Sequence, residues 1–540
     1  MPSIKTLYPR ALDPRPSRTD PARKTAVHAF TKGAITNFLL LQLLFLGLFA
    51  YVFGALYQQG SHVHNLGVVF VDYDQGGAIG RAVRAAYASL QGQNFPTLIE
   101  RPPSEIPTRH DLLDEVCKTR YWAAVYVTDG ASRRLQDALT ADGAAATYDN
   151  TDVMGFIWNE ALYASLIDGL IANNIGRLSD SARMAYTSNL TSVPHPAAPS
   201  VLAQPWALQS INIQPTEQGS RAIYNTVVII LILIQEFFYL GTINGLYAQF
   251  KLYANASPYR IVLIRLLNSL AYTMIGSLCV MATIFAFRSG WNINGNQFVL
   301  SWITFWLFAH VNFLTLDVFT IWLPHPYVPM ALVTWIATNV TSVLLPFALS
   351  PAFYRVGYAL PAHEVYQTLI DIWSRGCNPQ LRYSLPILFA WEVVTFALSV
   401  VGVFRRCHIA ILGEEMQAKE FKERVDTAVA FEMGRKRLRS RRNTIVSEEQ
   451  DQPATSAIEM KRQITAEETQ DGTDGGDVEE VDTVDEKAAE RDAEELAEIM
   501  SRVTTRQRRE QDKGHTANRD CDFGPAFELP FTRRDAAGDE

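Results

Sequence analysis

Cysteine is scarce: five residues in 540, at Cys117, Cys279, Cys377, Cys407 and Cys521, with no Cys-x-x-Cys pair. That scatter excludes a disulfide-dense scaffold and a thiolate zinc site. The chain also lacks G-x-x-x-x-G-K-[ST], G-x-S-x-G and H-E-x-x-H. It therefore has neither the phosphate cradle of a P-loop ATPase nor the nucleophile elbow or zinc helix of common hydrolases. No catalytic residue, cofactor or metal site is expected, and the chain reads as a non-enzyme. Charge is sparse as well, 19% against 48% hydrophobic residues, and the net charge of −8 sits mainly in the last hundred positions. Nothing resembles the concentrated basic face of a nucleic-acid binder, so no nucleic-acid partner is expected.

What is present is hydrocarbon. A bilayer core needs roughly 20 mostly apolar residues in a helix, because only a helix satisfies its own backbone there. "AITNFLLLQLLFLGLFAYVFGALY" at 34–57 meets this without a charge, and its late start marks an anchor rather than a signal peptide. After a polar stretch, 59–221, five more spans are predicted: 222–247, 261–287, 298–323, 330–350 and 385–404. The fold class is thus membrane α-helical, six transmembrane helices arranged one plus five, with an inserted extracytoplasmic domain and a cytoplasmic tail.

Lysine and arginine near span ends set orientation. Lys5, Arg10, Arg15, Arg18, Arg23, Lys24 and Lys32 precede the first span, and Arg405 and Arg406 follow the last. Residues 1–33 and the C-terminus are then cytoplasmic, and the plasma membrane is the expected location. The sequon at Asn189 should be glycosylated, while that at Asn255, in an inner loop, should stay bare. A third, at Asn339, falls within a span.

In the outer segment, 66–72 reads as a strand, 78–91 as a helix and "YWAAVYV" at 121–127 as a second buried strand. A helix follows at 130–140 with Ser132 as its N-cap, then a long amphipathic helix over 152–178. The proline-rich stretch from Pro194 to Pro215 should be extended. Together these make a small α/β domain. "DYDQGG" after the first strand has the carboxylates for a divalent ion, but it lacks G-x-G-x-x-G and reads better as a polar turn.

An N-terminal anchor, "GVVFVDYDQGG", "YWAAVYV" with "DGASRRL", and then five spans, with "SPAFYRVGYALPAHEVYQTL" before the last, resemble the fungal nitrosoguanidine-resistance membrane-protein family. That family is a domain of unknown function related to phage-infection-protein and ABC-2-type exporter membrane subunits. The resemblance covers roughly 35–410. It implies a membrane protein linked to drug tolerance or export, and a homodimer like related exporters, and it supplies no catalytic residues.

Polar groups in hydrocarbon are costly and mark an interior or a water path. Glu236, His310, Asn312, Asp317 and Glu392 are the candidates, with His310 and Asp317 two turns apart on one face. They suit either a proton- or cation-coupled path or helix-to-helix hydrogen bonds. Arg265, close to the inner end of its span, is expected to snorkel. The segment 351–384 is too polar to span. It should form either an interfacial or re-entrant helix or an outer loop packed on the bundle. Cys117 and Cys377 share the oxidising side, where a disulfide between them is open.

Residues 405–446 form a basic juxtamembrane segment, helical over 414–442. Arg435, Lys436, Arg437, Arg439, Arg441 and Arg442 should attract anionic lipid at roughly 1 kcal/mol per charge. Phosphorylation at Ser440 or Thr444 would weaken that attraction. The acidic segment 447–540 is expected to be disordered apart from a helix around 485–508. Two functions follow: export of toxic amphiphilic compounds or lipid translocation, with a small amphiphile or lipid as substrate, or a non-transporting scaffold or regulator.

Overall fold

A computed structural model describes residues 21–141, 143–190, 199–216, 228–288 and 292–450, and parts of 497–508. The described chain is mostly helical. It forms two units: Met1–Tyr247 with Ser257–Arg405, and Ala248–Ala256 with Arg406–Glu540.

In the first unit, helix α1 (Pro21–Ala55) is followed by an α/β layer. Its strands are β1 (Gly67–Asp72), β2 (Thr97–Arg101), β3 (Ala123–Val127), β4 (Met154–Trp158) and β5 (Gln209–Asn212). They lie in the order β2-β1-β3-β4-β5, all neighbours parallel except the antiparallel pair β3 and β4. β1 is apolar without alternation because both faces are covered. Val68 and Phe70 pack towards helices α2 (Ala78–Leu90) and α5 (Asn173–Ser188), whereas Val69 and Val71 meet Leu112 and Val116 of α3 (Arg109–Cys117).

The expected helix over 152–178 is wrong at its start. Residues 154–158 are β4, paired to β3 and β5; helix begins at Ala164–Ile167, passes through a π-helical turn at Asp168–Ala172 and continues as α5. A strand buried on both faces carries no period-2 signal, so its apolar run matches helical spacing equally well. Gly155 marks the strand, since a Cβ there would lie 2.5 Å from the Tyr126 hydroxyl of β3. Ser132 is also not an N-cap. Gly130, with φ +67°, caps α4 (Ala131–Thr140), and Ser132 accepts the Ile79 N–H at 3.0 Å instead, joining α4 to α2. Of the stretch from Pro194 to Pro215, Pro199–Ala203 is a short helix and Gln209–Asn212 is β5.

Among the described residues, five helices are long and apolar enough to cross a membrane: Phe30–Ala55 within α1, α6 (Val228–Gln249), α7 (Pro258–Ala286), α8 (Gly295–Trp322) and Leu381–Ala430 of α11 (Leu381–Gln450). They cover five of the six predicted spans. The remaining one is α9 (Val328–Leu344), whose 17 residues reach about 26 Å at 1.5 Å per residue, short of a hydrocarbon core of about 30 Å. α8 is the central helix, with every residue from Phe308 to Asp317 buried.

The segment 351–384 supplies α10 (Pro361–Trp373), packed on α8 and α9 and buried along most of its length. Burial pushes the His363 imidazole down to about 4, only partly opposed by the Ser342 carbonyl 3.2 Å from Nδ1. The unfolded ring protonates near pH 6.5, so neutral His363 contributes fully above that value. Its contribution is lost as pH falls towards 4, on the order of 3 kcal/mol by linkage. Thermal unfolding of detergent-solubilised protein should weaken between pH 7 and 4, and less steeply in His363→Gln. Parallel curves would contradict this.

The α/β layer and the bundle are joined. Cys117 at the end of α3 is disulfide-bonded to Cys377, 260 residues away. Asn159 Nδ2 donates to the Cys377 carbonyl at 3.3 Å, and Asn65 Nδ2 to the Ala348 carbonyl at 2.9 Å.

In the second unit, Lys251 and Glu414 pair at 3.4 Å, and Arg406 donates to the Tyr253 hydroxyl at 3.1 Å. The predicted helix over 414–442 lies within α11, and so do the positions of Arg435 to Arg442, Ser440 and Thr444. Residues 500–505 are helical, with Val503 buried against Val425. Most of the acidic segment lies outside the described residues.

Candidate functional site

The "DYDQGG" turn spends its carboxylates on the fold. Asp72 Oδ2 accepts the Gly76 N–H at 3.1 Å and the Arg84 guanidinium at 2.8 Å. Asp74 Oδ2 accepts the Ser132 N–H at 3.1 Å. Gly76 turns the chain at φ +87°, and a Cβ on Gly80 would sit 2.1 Å from Asp72 Oδ2. The turn is architecture.

Chemistry concentrates in the bundle, on three helices. α8 is started by a capping box between Asn294 and Gln297. Two turns of α8 separate His310 from Asp317, and two turns of α11 separate Glu392 from Ser399. One turn of α7 separates Arg265 from Ser269. The α8 and α11 spacings match, and the length of the Arg265 side chain makes up the shorter one on α7, so the six side chains meet in two layers. In the first, His310 Nδ1 lies 2.6 Å from Glu392 Oε1, and Nε2 lies 3.1 Å from Ser269 Oγ. In the second, Arg265 Nη2 donates to Asp317 Oδ1 at 2.8 Å, and the Ser399 hydroxyl donates to Oδ2 at 2.6 Å.

Arg265 does not snorkel. It is 6% exposed, donates also to Asn244 Oδ1 on α6 at 3.0 Å, and lies over the Tyr247 ring. A carboxylate within reach holds the guanidinium more strongly than the distant interface could. A small cavity of ≈ 20 Å3, room for about one water, borders the second layer, its apolar wall including Val262, Phe313 and Phe396 and its polar end Arg265, Asp317 and Ser399.

Asn312 stands apart from this ladder. Its Oδ1 accepts the Trp335 indole N–H of α9 at 2.9 Å and its amide donates to the Phe308 carbonyl, which pins two helices together. Glu236, on α6, is 1% exposed, and neither carboxyl oxygen has a hydrogen-bond partner among the described residues. Ser269, Ser399 and Asn244 escape a sequence search that looks for ionisable residues. The seven-residue spacing shared by α8 and α11 is the signal that finds Ser399. Asn189, at the end of α5, is exposed.

Apolar helices around an enclosed polar ladder, with an α/β layer bonded to them, define a helical membrane protein. The chain belongs to the family described as protein of unknown function (DUF3533), which matches residues 37–397. No solved structure matches it.

Proposed function

We infer that this membrane protein moves amphiphilic compounds or lipids across its bilayer, as a transporter or as the membrane subunit of one. The observation that carries the reading is the two-layer ladder of His310–Glu392 and Arg265–Asp317 beside a cavity with apolar walls and a charged end. Ionisable groups at that depth are costly, and packing a bundle requires only small residues and hydroxyls. An amphiphile enters there only when the helices part, its tail then lying on Phe313 and Phe396 and its polar end on the ladder. The likeness of "GVVFVDYDQGG" and the later spans to drug-resistance and ABC-2-type exporter membrane proteins points the same way. The role is non-enzymatic: movement is driven by an ion gradient or by a partner's ATP hydrolysis, or is only facilitated.

In this reading α9 completes six crossings, the termini are cytoplasmic, the plasma membrane holds the chain and the α/β layer lies outside. The basic stretch 435–442 then meets the anionic inner leaflet. The Cys117–Cys377 bond supports an oxidising surrounding for the layer. Expression in a eukaryotic secretory system should yield protein whose glycan is removed by N-glycosidase and abolished by Asn189→Gln. Sugar on Asn255 would invert the topology.

Purified protein in vesicles, loaded with a fluorescent amphiphile and tested with and without a pH gradient, tests the function. Movement above protein-free vesicles supports transport. Its absence in folded protein, under both conditions and with lipid as well as dye, favours the scaffold or regulator.

A further inference from the structure

Glu236 is the one ionisable candidate that the ladder does not absorb. It sits mid-helix in α6, one turn before Tyr239, whose ring stacks on Tyr272 of α7 with centroids 3.6 Å apart and planes 6° from parallel. The helices approach closely there, since a Cβ on Gly276 of α7 would come 2.3 Å from Gln235 Nε2. Tyr239 and Tyr272 are the titratable groups that interact with Glu236. No lysine, arginine or histidine pairs with it among the described residues. Both carboxyl oxygens are sealed from any water-sized neighbour.

A sealed carboxyl has two options. As a carboxylate it would hold an uncompensated charge in hydrocarbon, which buried groups avoid by taking up a proton. As a cation ligand it would need space for the ion and further oxygen donors. The enclosure leaves space for neither water nor ion, only for a proton.

We propose that Glu236 is a proton-binding site, carrying a neutral carboxylic acid in this closed arrangement and releasing its proton only when α6 and α7 part to admit water. The inference rests on the transport reading for its role, since it names the proton as the coupling ion. Asn244, two turns along α6, holds Arg265 of the ladder. A movement of α6 that wets Glu236 therefore also pulls on the Arg265–Asp317 layer.

The test reads Glu236 without requiring transport. Dicyclohexylcarbodiimide partitions into hydrocarbon and reacts with protonated carboxyls. The acid's proton moves to a carbodiimide nitrogen and its oxygen bonds the central carbon. An acyl shift from oxygen to nitrogen then leaves an N-acylurea one reagent mass heavier, with nothing lost. Mass spectrometry of the full protein in vesicles should find this adduct on the Glu236 peptide, formed as α6 and α7 part and before the proton leaves, and falling as pH is raised from 6 to 9. It should be absent from Glu236→Gln, and a water-soluble carbodiimide should not reproduce it. No adduct on Glu236 in folded protein at pH 6, with the reagent active on a control carboxyl, would overturn the proposal. So would protection by tetraphenylphosphonium at constant pH, which would make the carboxyl a cation site. If labelling succeeds while vesicles show no transport, the proton site stands and the transport reading fails.

Discussion

Asp317→Ala is expected to be among the most damaging single substitutions in the bundle. It strands the Arg265 guanidinium, 6% exposed, without the carboxylate that neutralises it, and leaves the Ser399 hydroxyl without its acceptor. Removing one partner of a buried ion pair costs about 3–5 kcal/mol. A thermal shift in detergent should therefore show a large fall in melting temperature, with reduced yield of folded protein. The pair is not itself the source of bundle stability, because taking two charges out of water is expensive. Arg265→Met combined with Asp317→Leu should recover most of the lost stability without recovering transport. Equal melting of Asp317→Ala and wild type would show that Arg265 finds another anion or water, and the enclosed ladder would be misplaced.

The second large effect is expected from the covalent joint between the layer and the bundle. Cys117→Ser with Cys377→Ser removes a cross-link spanning 260 residues. Loss of a disulfide costs about 2–5 kcal/mol, much of it through the freedom regained by the unfolded chain. Oxidised wild type should unfold at a higher temperature than either the double variant or the reduced protein, and the double variant should not respond to reductant. It should also migrate differently from oxidised wild type on a non-reducing gel. Wild type whose Cys117 and Cys377 peptides carry free thiols by mass would remove this joint and weaken the case for an outward-facing layer.

The sequence makes the membrane part legible because hydrocarbon imposes a length. Five of the six apolar runs coincide with helices long enough to cross, and the 330–350 run falls on a helix of 17 residues. Chain length alone does not distinguish a short crossing helix from one wholly inside the protein. In the α/β layer, β1 and β3 are apolar runs bounded by turn residues, so periodicity and punctuation agree. β4 lacks that agreement, and only its pairing with β3 and β5 makes it a strand. β2 and β5 are short and partly exposed, with too few residues to set a pattern.

The candidate site was legible in its members and not in its partners. Cost in hydrocarbon singles out Glu236, His310, Asp317 and Glu392 from composition and position. Which of them meet depends on how α7, α8 and α11 are placed side by side. Arg265 shows the difference: nearness to a span end suggests snorkelling, and Asp317 overrides it. Asn312 errs the other way, a polar residue at the right depth whose amide is spent on Trp335.

Initial rates of amphiphile movement in vesicles containing wild type or Glu392→Gln, at matched protein density and with folding confirmed by melting, test the central claim most directly. The substitution keeps the shape of the side chain and removes the charge opposite His310, 2.6 Å away. A charge-assisted hydrogen bond of about 1.5–3 kcal/mol corresponds to a fall in rate of about tenfold or more. Wild-type rates in Glu392→Gln would contradict the account, leaving the buried layers as fasteners of the bundle.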